Sequence, residues 1–163
     1  MTTTPFLSAP LIVQLHALAA VIALGLGPLL IARRKRDTLH RALGYVWVLA
    51  MGGAALSSFG IHDFAVLGPF SPIHLLAVLA LWSIWVGLRT IWRGDVEAHR
   101  HAMRSLYWRG VLVAAAFNFL PGRVVNRTFF DDARAWGFVP MALILALILW
   151  DLWRGRQGRA LLA

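Results

Sequence analysis

Residues 10–31 read PLIVQLHALAAVIALGLGPLLI. This run holds no Asp, Glu, Lys or Arg, and Gln14 and His16 are its most polar side chains. As an α-helix it extends about 33 Å at a rise of 1.5 Å per residue, enough to cross a bilayer's hydrocarbon core. Four further apolar runs follow, at about 41–61, 72–92, 103–120 and 136–153. The run at 103–120 is the weakest, because it contains Arg109 and Asn118; Arg109 lies near its start, where the long stem can snorkel to the interface. Pro28 and Pro140 fall inside runs, so kinks are expected there, with neighbouring groups satisfying the freed carbonyl.

Composition agrees. Of 163 residues, 60% are hydrophobic and 14% charged, and the mean hydropathy is +0.69. Soluble domains carry about 25% charged residues. The expectation is a single all-α integral membrane domain over 1–163: a polytopic transmembrane bundle of four core helices (10–127) plus a C-terminal extension (128–163) carrying a fifth. The absence of cysteine excludes disulfides, thiolate metal sites, covalent c-type haem attachment and thiol nucleophiles. The opening MTTTPFLS has no basic residue, so the first run reads as a retained helix rather than a secretory signal.

The basic residues set an expected orientation. Arg33, Arg34, Lys35, Arg36 and Arg41 flank the first loop, and Arg89, Arg93, Arg100, Arg104 and Arg109 surround the third. Arg154, Arg156 and Arg159 follow the fifth run. Five spans put all of these on one side, opposite Arg123, Arg127 and Arg134. Positive loops favour the cytoplasm, which places the N-terminus outside and the C-terminus inside a bacterial cytoplasmic (inner) membrane. The net charge of +9 then reflects topology and contact with anionic lipid headgroups. Charges split among short loops do not make a nucleic-acid surface.

Histidines carry the candidate chemistry. His16 and His40 lie 24 residues apart, and His74 and His99 lie 25 apart, about one span plus a short loop. Each half has an acid (Asp37 or Asp95) ahead of a His-Arg pair, then Tyr and Trp, as in a parallel two-helix repeat about the membrane normal. By depth, His16, His62 and His74 are outer, and His40, His99 and His101 inner. His16 with His74 fits an outer haem pair, and His40 with His99 or His101 an inner one. Arg41 and Arg100 are positioned for haem propionates, and Asp37 or Thr38 and Asp95 could cap the helices bearing the inner histidines. The plainer readings are headgroup contacts for His40 and His99, interface residues for His62 and His101, and a hydrogen-bonded structural histidine for His16. There is no Walker loop, dinucleotide fingerprint or HExxH.

Several strings carry a resemblance: HRALG at 40–44, SSFGIH at 57–62, GPFSPIHLL at 68–76, AHRHAM at 98–103 and FLPGR at 119–123. With them, residues 10 to 127 resemble the predicted bacterial membrane proteins called domain of unknown function 2306. Matching positions include His16, His40, Arg41, Ser58, His62, Pro72, His74, His99, Arg100, Met103, Pro121, Gly122 and Arg123. The resemblance implies a small integral membrane protein and no particular activity; departure is expected after about Phe130. It also sets the SPIHLL segment beside the outer end of the second helix, so that His16, His62 and His74 form a possible three-imidazole set suited to copper or zinc.

The functional expectation is therefore b-type haem and electron transfer, with a quinone or redox protein as partner. The alternatives are an accessory, structural or assembly subunit of a membrane complex, a copper- or zinc-binding protein, and a transporter, which would favour a homodimer.

Overall fold

The computed structural model of the chain describes residues 4–33, 37–61, 72–130 and 133–160. The described residues form helices α1 (Thr4–Leu7), α2 (Leu11–Ala32), α3 (Thr38–Ser58), α4 (Pro72–Trp92), α5 (Val96–Ser105), α6 (Leu112–Asn118), α7 (Val124–Phe130) and α8 (Phe138–Ala160). A π segment, Leu106–Val111, joins α5 to α6, and a 3-10 turn, Arg134–Gly137, precedes α8. No strand occurs among the described residues, and the chain is all-α.

Four helices among the described residues are long and apolar enough to cross a membrane: Leu11–Ala32, Thr38–Ser58, Ile73–Trp92 and Arg134–Gly155. The expected run at 103–120 is helical but is not one of these. Its helix starts earlier, at Val96, in a charged turn where Glu97 pairs with Arg100 at 3.0 Å. The π segment, which contains Arg109, then interrupts the α-helical pattern.

Two compact units account for the packing, Pro10–Val111 and Met1–Ala9 with Leu112–Ala163. In the first, α2 and α3 run antiparallel. Trp47 Nε1 donates to the Ala23 carbonyl at 2.9 Å, and seven residues along in opposite senses, His16 meets Ala54. The buried face of α3 consists of Trp47, Met51, Ala54, Ala55 and Ser58, a three-to-four spacing that keeps one stripe inward. α4 buries His74, Ala77, Ala80 and Ile84 on the same spacing.

Pro28 lacks an amide hydrogen, so the Leu24 carbonyl one turn earlier loses its helical donor. The Tyr107 hydroxyl supplies one at 3.3 Å. The ring reaches that point only because residue 27 is glycine: a Cβ there would collide with the Tyr107 ring. Trp47 adds a side-chain donor at the neighbouring Ala23 carbonyl.

The basic loops end in defined caps. Asp37 accepts from the His40 amide at 2.9 Å, and Asp95 from Ala98 at 3.0 Å, each satisfying an orphan donor of the helix it opens. Arg33 also pairs with Asp37. That hydrogen bond, with the His40 amide, holds the Asp37 carboxyl below its ordinary range. Between α4 and α5, Gly94 has φ +79°. Its amide bonds to Ile91 O and that of Asp95 to Thr90 O, the Schellman arrangement that needs a left-handed residue.

In the second unit, Asn126 is fully buried and donates through Nδ2 to Phe119 O at 2.8 Å and Arg134 O at 2.9 Å. It ties the turn after α6 to the turn before α8. Gly137 lies so close to Asn126 Nδ2 and Phe119 O that any side chain there would clash.

Replacing Gly27 with Val should destabilise the detergent-solubilised protein by about 1–3 kcal/mol through overpacking against Tyr107. Tyr107→Phe, which keeps the ring and removes the donor, should cost about 0.5–2 kcal/mol. Thermal unfolding followed by circular dichroism reads both; an unchanged midpoint for Gly27→Val would contradict the packing described.

Candidate functional site

The last carbonyls of a helix have no donor within it, and the C-terminus carries partial negative charge. At that end of α3, Ser57 Oγ bonds back to Gly53 O at 2.7 Å and Ser58 Oγ to Ala55 O at 2.7 Å. The amides of Phe59, Gly60 and Ile61 reach the carbonyls of Leu56, Ser57 and Ser58, and two histidines from neighbouring helices add further donors. His16 of α2 places Nδ1 2.9 Å from Ala54 O and 3.0 Å from Ser57 Oγ. His74 of α4 places Nε2 3.0 Å from Ser58 O. A carbonyl oxygen only accepts, so these contacts put the proton on Nδ1 of His16 and on Nε2 of His74. The His74 ring is 4% exposed and stacks on Phe59, with centroids 5.5 Å apart and planes 11° apart.

His16 and His74 therefore come to the same end of α3, on carbonyls about one turn apart, roughly 6 Å along the axis. Each donates a hydrogen bond to the α3 backbone. Of the two ring nitrogens of His74 able to ligate a metal, Nε2 is engaged with Ser58. His62, the third member of the outer set, lies outside the described residues. Among the described residues, no three His, Asp or Glu side chains are grouped to hold a metal ion.

The inner histidines are placed separately. His99 donates through Nδ1 to Gly87 O at 2.8 Å, tying α5 to the last part of α4. Met103 packs on Gly87 beside it. His40 lies in the first turn of α3, its amide held by the Asp37 cap. His101 and Arg41 are exposed. Arg100, proposed above for a propionate, is exposed and paired with Glu97.

Residue patterns alone did not single out Asn126, Trp47 or Tyr107 as hydrogen-bonding groups. Their partners are backbone carbonyls, which carry no residue signature; the nearest available signal was a polar amide between apolar neighbours in VVNRTFF. Among the described residues, Trp108 Nε1 in the π segment and Asn126 Oδ1 are buried polar atoms without a hydrogen-bond partner.

A family model described as predicted membrane protein, domain of unknown function 2306, matches residues 13–153. The chain belongs to that family. The matched stretch of this domain-2306 protein takes in nearly all of α2, α3 to α7 and most of α8, so the family pattern continues past Phe130, where departure was expected. No curated protein and no solved structure matches the chain. Family membership and the apolar helices together make this a multi-pass membrane protein in a lipid environment.

If His74 acts as a donor to Ser58 O, His74→Gln should keep most of the stability, because a glutamine amide can still donate. His74→Leu should lose about 1–2 kcal/mol, the scale of a hydrogen bond inside a membrane bundle. Equal losses for the two variants, read from unfolding midpoints, would argue against the tie.

Proposed function

We propose that this domain-2306 protein is a non-catalytic integral component of a membrane assembly, an accessory or assembly subunit whose histidines join helices. The observation behind this reading is that His16, His74 and His99 each direct a ring nitrogen to a carbonyl in the C-terminal part of a neighbouring helix. Such ties fix helix positions without using a substrate.

A second reading has its own support. Ligating histidines usually donate their other ring N–H to a carbonyl or carboxylate. His16 and His99 do so through Nδ1, which orients Nε2 as the ligating atom, one at each end of the first unit. On this reading the protein holds b-type haem, with His16 and His74 or His40 and His99 as pairs, and passes electrons to a quinone or a redox protein. Copper or zinc at His16, His62 and His74 is the metal variant of it.

One set of measurements separates the readings. The full chain is purified in detergent after expression with haem supplied, and its visible spectrum is recorded before and after dithionite. The accessory reading expects no sharp reduced band, no stoichiometric copper or zinc, and a larger membrane complex co-purifying from the native host. A reduced b-type band lost in His16→Ala would overturn it in favour of electron transfer.

The orientation we propose is N-terminus outside and C-terminus inside the bacterial cytoplasmic membrane, supported by the basic residues at the ends of α2 and α4 and in α8. It requires Val96–Asn118 to cross despite its π segment. Since the chain has no cysteine, single-cysteine variants give a clean test. An impermeant maleimide should label Thr4→Cys in intact cells and Gly155→Cys only after lysis. Labelling of both from outside would mean that Val96–Asn118 does not cross.

A further inference from the structure

One face of α4 carries an exposed apolar stripe that ends in cations. Val78, Trp82 and Trp85 recur at spacings of four and three and point away from the bundle; the two indoles are 61% and 46% exposed. With Leu81 they line a shallow groove that is almost wholly apolar. The Trp82 and Trp85 rings lie 4.9 Å apart. One turn further on, the Arg89 guanidinium sits 5.1 Å over the Trp85 ring, continuing the same stripe, and Arg93 follows just past the helix end. Among the described residues neither arginine has a salt bridge. The nearby acids are engaged elsewhere, Asp95 on the Ala98 amide and Glu97 on Arg100.

The stripe thus changes along about 16 Å of helix from apolar groove to cation. A phospholipid has the same polarity, tail to phosphate. We propose that this face of α4 is a binding site for an anionic phospholipid, with an acyl chain along Val78–Trp85 and the phosphate at Arg89 and Arg93. Arginine suits the role, because its planar fork bonds phosphate oxygens in pairs while its face rests on an indole. A second copy of the chain fits less well. A two-fold dimer in a membrane has its axis along the normal, so Arg89 and Arg93 of both copies would meet at the same depth with no carboxylate between them.

The test uses the full chain in phosphatidylcholine nanodiscs. Equal small fractions of dibrominated phosphatidylglycerol or dibrominated phosphatidylcholine are added, and quenching of tryptophan fluorescence is measured. The site predicts stronger quenching by the brominated phosphatidylglycerol. Trp82→Phe with Trp85→Phe should remove that excess. Arg89→Gln and Arg93→Gln should each lower the preference about fivefold, the effect of one basic residue near an anionic surface. The arginine variants keep every tryptophan, so they decide the matter if the double Phe variant does not fold. Equal quenching by the two lipids would leave only bulk lipid at this face and overturn the proposal. An unchanged preference in both arginine variants would place the anionic lipid elsewhere, and disulfide crosslinking of a Trp82→Cys variant between copies would give the face to a dimer; either result overturns it.

Discussion

A backbone carbonyl in hydrocarbon has no water to accept from, and this constraint governs the first unit. A straight helix meets it internally except at its last turn and beside a proline. At or near those places the described helices carry additional long-range side-chain donors. Tyr107 serves the carbonyl released by Pro28, with Trp47 on the one before it. His16 and His74 serve the end of α3, and His99 serves α4 near its own end. Each donor comes from a different helix than its acceptor, so local repair of the backbone also positions the helices. Helix association in a bilayer lacks a hydrophobic drive of its own, so such hydrogen bonds and close packing at small residues carry it.

The same economy shows where side chains are missing. Gly27 admits the Tyr107 ring, Gly87 the Met103 side chain, and Gly137 the Asn126 amide with the Phe119 carbonyl. At Gly27 and Gly87 the small residue lies within a turn of a bonded carbonyl or supplies it. Contact distance and hydrogen bonding are therefore one requirement: without the close approach, the donor would not reach. Trp108 Nε1 and Asn126 Oδ1, buried without partners, are exceptions to this satisfaction among the described residues.

Much of this was legible in the sequence, and the reason is physical. Runs without charge reveal helices that face lipid, so α2, α3, α4 and α8 could be read directly. Asp37 and Asp95 could be read as caps because capping is local and depends on residue type. Pro28 announced a freed carbonyl, but its donor lies 83 residues away and left no trace near it. The start of α5 was misread because apolarity was the guide: residues 96–105 are charged yet helical, held by a cap and an ion pair that hydropathy does not register. The histidines were legible as ionisable groups near span ends. Their acceptors at Ala54, Ser58 and Gly87 were not, because any residue presents the same carbonyl.

What a histidine offers at these places differs from what serine or asparagine offers. A neutral imidazole has one donor and one acceptor nitrogen held in a fixed ring. Giving the donor to a carbonyl therefore also aims the acceptor. For His16 and His99, bonded through Nδ1, a structural tie and a ligand position are the same arrangement, and the two uses do not compete. For His74 the tie occupies Nε2, and a buried ring stacked on Phe59 cannot turn that atom elsewhere without breaking the bond to Ser58. The outer pair is thus unequal: His16 presents Nε2, whereas His74, holding α4 against α3 through Nε2, presents Nδ1. A cofactor held jointly by His16 and His74 would take Nε2 from the first ring and Nδ1 from the second, and only ligation through His74 Nε2 would cost the end of α3 one of its side-chain donors.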